Sequence, residues 1–377
     1  MTALLLRLAF IFVGFPYLEE RWHLREDGDG YAAIAHTIRE GRYDDVTRGP
    51  VYPFFVAAAG LPLAVKILQA FLDTATCLLV FWLARVTFHA PCSTLDVPVW
   101  AAWLWALYPF AIWRVAFINK EIVLAFLLAG YVCIQLIALR DGNPWQWLAA
   151  GALLGLVNLC KPTFLLWPLV VGALAWWNRQ PLRRVALLLA AMVALIAPWA
   201  VRNWRVTGGE FLPVATEQGG MTTFVGNYQP TLGLWEGPGD LKARWMLAVD
   251  AIRLQHAAAS TVQLDRVFYR TAWQQMASNP LQALEIVGRK CGRFWFLSAA
   301  RREQAISCVV QGTYLVLLGI GLWRLRSWHP DAMALVVVIL YVMLIHAISY
   351  ADLRFSLPVM PFVCVLAANG LAVRRPS

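Results

Sequence analysis

The chain has 377 residues, of which 60% are hydrophobic and only 14% charged, and its mean hydropathy is +0.59. A water-soluble domain cannot bury that much apolar surface, so composition excludes a soluble class and points to an integral membrane protein. The formal net charge of +10 does not call for nucleic acid, because no basic face interleaved with aromatics stands outside the apolar segments; arginines holding loops on the cytoplasmic side account for it.

Residues 1–17 lack a small-x-small cleavage motif and read as a retained first helix. Apolar runs suited to crossing a bilayer occur at roughly 1–18, 62–88, 97–117, 121–139, 145–159, 163–178, 184–200, 304–323, 332–349 and 355–373. The expected fold class is an all-α polytopic membrane protein of about ten spans, forming one domain over 1–377. Pro144, Pro162, Pro181 and Pro330 punctuate these runs at starts or turns. The 19 tryptophans suit interfacial belts. Of the seven cysteines, Cys77, Cys133, Cys308 and Cys364 lie inside apolar runs and no CxxC pair exists, which excludes a disulfide framework and a zinc site.

Two long connections interrupt the spans. In the first, 18–61, Tyr31, Ile34, Ala35 and Ile38 share one helical face, with Gly41 as the stop. This predicts an amphipathic helix on the membrane surface. In the second, 201–303, residues 208–240 are rich in Gly and Pro and read as an irregular loop. Leu264, Val267, Phe268 and Met276 then repeat at helical spacing as far as Asn279-Pro280, and 281–296 reads as a further interfacial helix.

With the N-terminus inside, the inner connections hold Arg85, Arg140, Arg179, Arg183, Arg184, Arg324 and Arg326, and the tail holds Arg374 and Arg375. Every inner connection is then basic, as the positive-inside rule requires, and both termini are cytoplasmic in a plasma (inner) membrane protein. The same parity puts Asp27, Asp29, Glu121, Lys161, Arg202, Asp352 and Arg354 on the outer face. Ionisable groups gathered at helix ends on one side suggest a site.

Asp29 directly precedes the Tyr31 helix and is predicted to cap it. Asp27, one turn earlier, is left as a candidate general base; alternatively the Asp-x-Asp pair holds a divalent cation. Glu121 opens a span, where it either compensates the helix dipole or adds a second carboxylate to the outer site. Lys66 and Asp73 lie seven residues apart on one helical face and read as glue between helices. The outer cations include Arg48, Lys120, Lys161, Arg202, Arg205, Arg289, Lys290, Arg293, Arg301, Arg302 and Arg354. Most suit headgroup contacts. Lys161 sits in a tight turn, Arg202 ends a helix and Arg354 opens one, so these three could converge on one phosphate. An activated donor outside the cytoplasm must arrive on a lipid, and its transfer needs cations for the leaving phosphate and a carboxylate for the incoming hydroxyl. No GxxxxGK[ST], HExxH or GxSxG motif is present.

The motifs "DGDGYAAIAHTIREGRY" and "TRGPVYPFFVA" resemble the first outer loop of the GT-C glycosyltransferases that use polyprenyl-phosphate sugars, among them protein mannosyltransferase-like and aminoarabinose transferase-like enzymes. An Asp (Asp27) stands four residues before a Tyr (Tyr31), a helix ends at Gly41, and an R-x-P-x-Y-P turn follows with Arg48, Pro50, Tyr52 and Pro53. "GLVNLCKP", "PWAVRNWRVTGGEFLPVATEQG" and "YADLRFSLPVMPF" continue the similarity in the family's order. Gly49 stands where a Pro or another residue is common, and Glu121 follows a Lys. The resemblance implies an inverting transfer from a lipid-phosphate sugar to a hydroxyl of a glycan, lipid or protein. It makes Asp27 the base, sets Glu121 on the acceptor side, and assigns the donor phosphate to Lys161, Arg202, Arg354 and Arg48. It requires no cofactor, with a divalent cation possible. The competing classes are a transporter for lipid-linked glycans, which would carry charges along a path through the membrane, and a non-catalytic subunit of the same fold.

Overall fold

The computed structural model describes residues 1–23, 26–27, 29–88, 96–235, 240–296, 301–325 and 329–372, except for the side chains of 301–304. Gly28, Arg326, Arg374, Arg375 and the side chains of Arg301 and Arg302 lie outside the described residues. The described residues are helical, with no strand. The helices run α1 (Thr2–Trp22), α2 (Tyr31–Arg39), α3 (Val51–Ala59), α4 (Pro62–Phe88), α5 (Asp96–Ala106), α6 (Pro109–Arg114), α7 (Glu121–Asp141), α8 (Pro144–Cys160), α9 (Trp167–Trp177), α10 (Leu182–Val206), α11 (Gly219–Gly226), α12 (Leu241–Gln255), α13 (Thr261–Ser278), α14 (Pro280–Phe296), α15 (Arg301–Trp323), α16 (Pro330–Ile348) and α17 (Met360–Leu371).

Seven helical segments are long and apolar enough to cross a membrane: Thr2–Trp22, Pro62–Phe88, Glu121–Asp141, Leu182–Val206, Ala305–Trp323, Pro330–Ile348 and Leu353–Leu371. The expected spans at 97–117, 145–159 and 163–178 are helical but shorter. The first is broken because Tyr108 is extended (ψ 111°) before Pro109, which separates α5 from α6. The third begins with a single tight turn, Pro162–Phe164, before α9 starts at Trp167. The count of about ten spans is therefore not confirmed, seven helices among the described residues meeting the length and hydropathy needed.

α7 lies at the centre, buried along most of its length against α4 and α8. It ends on Gly142 in the left-handed conformation (φ 66°). Its 21 residues put Glu121 about 30 Å from Arg140. Arg140 pairs there with Asp331 at the start of α16 and also reaches the Val86 carbonyl, tying three helices together at that end. At the opposite end lie the charged groups of the loops that precede α2, α3 and α7.

Within the bundle, Arg7 of α1 and Asp73 of α4 form a fully buried ion pair. Arg7 also donates to the carbonyls of Ala3, Trp105 and Ala106, and the Trp105 indole donates to the Asp73 carbonyl at 3.2 Å. A buried pair with its other donors satisfied fixes how α1, α4 and α5 meet. Lys66 does not join Asp73, despite their spacing; it pairs instead with Glu26 of the first loop. Among the described residues Arg7, Asp73 and Lys66, the charges read from the sequence as lying within spans, are thus each in an ion pair.

The 201–303 connection is more ordered than expected. α11 falls inside the stretch read as irregular, and α12 has no counterpart in the sequence reading. Phe224, Val225, Trp245, Val249, Phe268 and Ala272 form a small second core between α11, α12 and α13. α13 opens on a reciprocal capping box between Ser260 and Gln263. α14 is not merely interfacial: Ala283, Ile286, Lys290 and Phe294 are buried on its inner face.

Candidate functional site

Of the two aspartates of the opening loop it is Asp27, and not Asp29 as expected, that caps α2. Gly30 adopts a left-handed conformation (φ 75°) immediately before Tyr31, which glycine tolerates best. That turn brings Asp27, not Asp29, to the helix start. Asp27 accepts the Tyr31 N–H on Oδ1 at 2.9 Å and the Ala32 N–H on Oδ2 at 2.7 Å. Asp29 faces away from α2 and accepts from the Arg354 guanidinium at 3.2 and 3.4 Å. Burial alone would raise the Asp29 carboxyl, but the charges of Arg354, Arg48 and Lys120 outweigh it and hold it below the usual carboxylate range.

Glu121 is buried at the first turn of α7. Its Oε1 lies 3.9 Å from Arg354 Nε, and its Oε2 has no hydrogen-bond partner among the described residues. The three carboxylates surround Tyr52. Burial pushes the Tyr52 hydroxyl up, and Glu121, Asp27 and Asp29 push it further in the same direction. The structure therefore joins Asp27, Asp29, Glu121 and Arg354 in one place.

A shared scaffold holds these groups. The fully buried Gln69 of α4 accepts from the Tyr52 hydroxyl at 2.8 Å. Its amide donates to the carbonyls of Val115 (3.0 Å) and Phe117 (2.8 Å), just ahead of Lys120 and Glu121. The Ile118 N–H donates to the Glu26 carbonyl at 2.7 Å, tying the Asp27 loop to the same segment.

Glu217, in the long outer connection, pairs with Lys120 and accepts the Gly49 N–H at 2.9 Å. Burial raises its carboxyl, but Lys120 and Arg48 and those hydrogen bonds prevail and lower it below the usual range. The Thr216 and Glu217 N–H groups donate to the carbonyls of Val46 and Thr47, so this loop clamps the Arg48 turn. Gly49 allows the turn to press on the end of α8: a Cβ there would fall 2.4 Å from the Leu159 carbonyl oxygen. The glycine that departs from the expected pattern is thus required sterically.

That contact brings the turn that carries Arg48 against the end of α8, which leads into Lys161. The Arg48 guanidinium lies 5.9 Å from the Tyr31 ring centroid and makes no hydrogen bond or ion pair among the described residues. The Lys161 ammonium sits 3.9 Å from the Phe355 ring centroid and donates to His346 Nε2 at 3.0 Å. His346 Nδ1 lies 2.8 Å from the Val342 carbonyl, so Nδ1 carries the proton and Nε2 accepts. Among the described residues Lys161 therefore stands in no direct ion pair, with Glu121 and Glu217 acting on it only from a distance. Burial, with Lys120 nearby, pushes its amine down to about 7.

Arg202 stands apart. Its guanidinium donates to the carbonyls of Tyr43 and Asp45 and lies 4.6 Å from the Trp199 ring centroid and 4.7 Å from that of Tyr43. It braces the first outer loop from the side of Tyr43 and does not meet Lys161 and Arg354. Lys290 and Arg293 are likewise structural rather than headgroup contacts. Lys290 donates to Asn227 Oδ1 (2.9 Å) and to the carbonyls of Ile348 (3.1 Å) and Ser349 (3.0 Å), fixing the segment that leads to Arg354. Arg293 donates to the carbonyls of Leu232 and Gly233.

Sequence reasoning missed Gln69, Glu217 and His346. Gln69 and His346 had a usable signal, since a lone polar side chain inside an apolar span needs a partner. Glu217 had none beyond its place in a polar loop. A divalent cation does not fit the Asp-x-Asp pair. Both Asp27 oxygens hold backbone N–H groups, both Asp29 oxygens face Arg354, and among the described residues no group of three His, Cys, Asp or Glu could hold a metal.

No family model matches this sequence, and no curated protein matches it. Solved structures do. The oligosaccharyltransferase of Archaeoglobus fulgidus in its apo form is similar over 98% of this chain and 49% of its own, at 16% identity and a TM-score of 0.51. ArnT from Cupriavidus metallidurans bound to undecaprenyl phosphate aligns over 90% of this chain and 71% of its own, at 13% identity and a TM-score of 0.38. This chain spans about half the length of the oligosaccharyltransferase. The first of these likenesses establishes the fold alone, an all-helical arrangement with several helices apolar and long enough to cross a membrane.

Proposed function

We propose that the chain transfers a sugar from a polyprenyl-phosphate donor to a hydroxyl of a glycan, lipid or protein acceptor. The reaction takes place at the extracytoplasmic face of the plasma membrane, with both termini inside. The observation that carries this reading is the pairing of spare cations with a spare carboxylate at one end of the bundle. Among the described residues Arg48, Lys161 and Asp27 stand in no direct ion pair, although Asp29 and Glu217 lie near enough to feel Arg48, and Glu121 and Glu217 near enough to act on Lys161. The lipid carriers bound in the solved neighbours, dolichol-phosphate in the oligosaccharyltransferase and undecaprenyl phosphate in ArnT, support the donor class.

In this mechanism Arg48 and Lys161 bind the donor phosphate. Asp27 accepts the proton of the acceptor hydroxyl as that oxygen attacks the anomeric carbon from the face opposite the phosphate. The new carbon–oxygen bond forms as the carbon–phosphate-oxygen bond breaks, so the configuration inverts and polyprenyl phosphate leaves with its charge held by the cations. Asp29 is the poorer base because three cations hold its carboxyl low. Arg354, already between two carboxylates, orients them more than it binds phosphate, and Arg202 supports the loop.

The test uses the purified protein in lipid vesicles with polyprenyl-phosphate sugars extracted from the producing cells. Release of polyprenyl phosphate that requires Asp27 supports the reading. Release at an equal rate from Asp27→Asn protein sinks it.

A further inference from the structure

We infer that Arg354 occupies the seat of a divalent cation between Asp29 and Glu121, so that this site works without a bound metal. Carboxylates brought together from separate elements at a phosphate-handling site commonly share a divalent ion. Here Asp29 comes from the first outer loop and Glu121 from the start of α7, and the group between them is a guanidinium. Its Nη1 lies 3.2 and 3.4 Å from the two Asp29 oxygens, and its Nε lies 3.9 Å from Glu121 Oε1.

The guanidinium is held there independently of the carboxylates. It stacks 5.0 Å from the Phe355 ring centroid. The Arg354 N–H donates to the Asp352 carboxylate at 3.0 Å, which fixes the turn that presents the side chain. Lys290 pins Ile348 and Ser349 just upstream. An arginine locked in place is a permanent charge, because it does not lose its proton in the physiological range. A metal entering the same gap would meet that charge within a few ångström, and Arg48 and Lys120 also act on Asp29. The third acid, Asp27, is held against α2 by one backbone N–H on each oxygen and takes no part in the Arg354 pairing among the described residues. The ligand set for a metal is therefore incomplete while Arg354 is present.

This inference rests on the transferase reading only for its activity arm; metal binding can be read without any turnover. Purified wild-type protein is titrated with Mn²⁺ and followed by electron paramagnetic resonance, and transfer is measured with and without a chelator. The expectation is no stoichiometric Mn²⁺ at ~0.1 mM free ion, and equal transfer rates in both conditions. Arg354→Met removes the charge and frees the Asp29 oxygens and Glu121 Oε1, beside the Oε2 that is already unpartnered, so it should bind Mn²⁺ about a hundredfold more tightly than wild type. Wild-type protein that binds one Mn²⁺ and loses it in Glu121→Gln overturns the inference, as does transfer abolished by chelator and restored by Mn²⁺. A protein that binds no Mn²⁺ and transfers no sugar would refute the transferase reading and leave this one standing.

Discussion

Gln69→Leu should disable the site from a distance. The glutamine is fully buried and bridges Tyr52 to the Val115 and Phe117 carbonyls. Leucine fills nearly the same volume but leaves the Tyr52 hydroxyl and the Val115 carbonyl unpaired in the interior, while the Phe117 carbonyl keeps the Asn119 N–H at 3.0 Å. Each stranded group costs about 1–3 kcal/mol, and partial relaxation brings the total to about 2–4 kcal/mol. The strain falls on the segment immediately before Lys120 and Glu121, which then keeps only the Ile118–Glu26 backbone bond as a tie to the first loop. A displacement of about 1 Å there should lower kcat on the order of a hundredfold. The KM for donor should change by less than about threefold, because uniform binding is untouched when Arg48 and Lys161 sit on other loops. Donor turnover in vesicles reads both constants, and thermal melting in detergent should fall by roughly 5–10 °C. A Gln69→Leu protein with wild-type kcat and melting would show that the bridge does not position Glu121.

Four further outcomes follow from the site. Asp27→Asn should cost about a thousandfold in kcat and only about 1 kcal/mol of stability, because the amide oxygen keeps one of the two α2 N–H bonds and loses the other; Asp29→Asn should cost only about tenfold, and the reverse order would exchange their roles. Lys161, at about 7, is charged below that pH and neutral above it, so the donor KM should climb from pH 6 to pH 9; Lys161→Gln should raise KM at pH 6 and flatten the profile, and an unchanged slope would remove Lys161 from the phosphate site. Burial also pushes Lys290 down to about 7 in the folded state. Between pH 7 and about 10 the unfolded chain therefore binds more protons at this site, and stability should rise with pH; Lys290→Met should reduce that rise in melting curves. Gly49→Ala forces a Cβ to within 2.4 Å of the Leu159 carbonyl oxygen and should cost about 1–3 kcal/mol; unchanged melting would mean that the turn can give way.

The spans and the gathering of charge at one end were legible because apolar length and the placement of arginines are local signals. The break at Tyr108-Pro109 was not read, because the apolar run continues unbroken across it. The roles of Asp27 and Asp29 were not readable from spacing, because they depend on the left-handed turn at Gly30. Which cations are free depends on tertiary partners: Arg202 and Lys290 look like Lys161 in sequence, yet carbonyls consume the first two and a neutral imidazole faces the third. Glu217 and Lys120 are 97 residues apart, a separation at which no pattern in one sequence pairs them. α12 was missed because its helical face is completed only by α11 and α13.

The most direct test of the account compares the surface glycans, glycolipids and glycoproteins of three strains by mass spectrometry, together with their polyprenyl-phosphate sugar pools. The strains carry the wild-type gene, no gene, or the Asp27→Asn variant. The account predicts that the second and third lose the same sugar from one surface molecule and accumulate the same lipid-linked donor. A deletion strain with unchanged surface chemistry, or an Asp27→Asn strain that matches wild type, would contradict it.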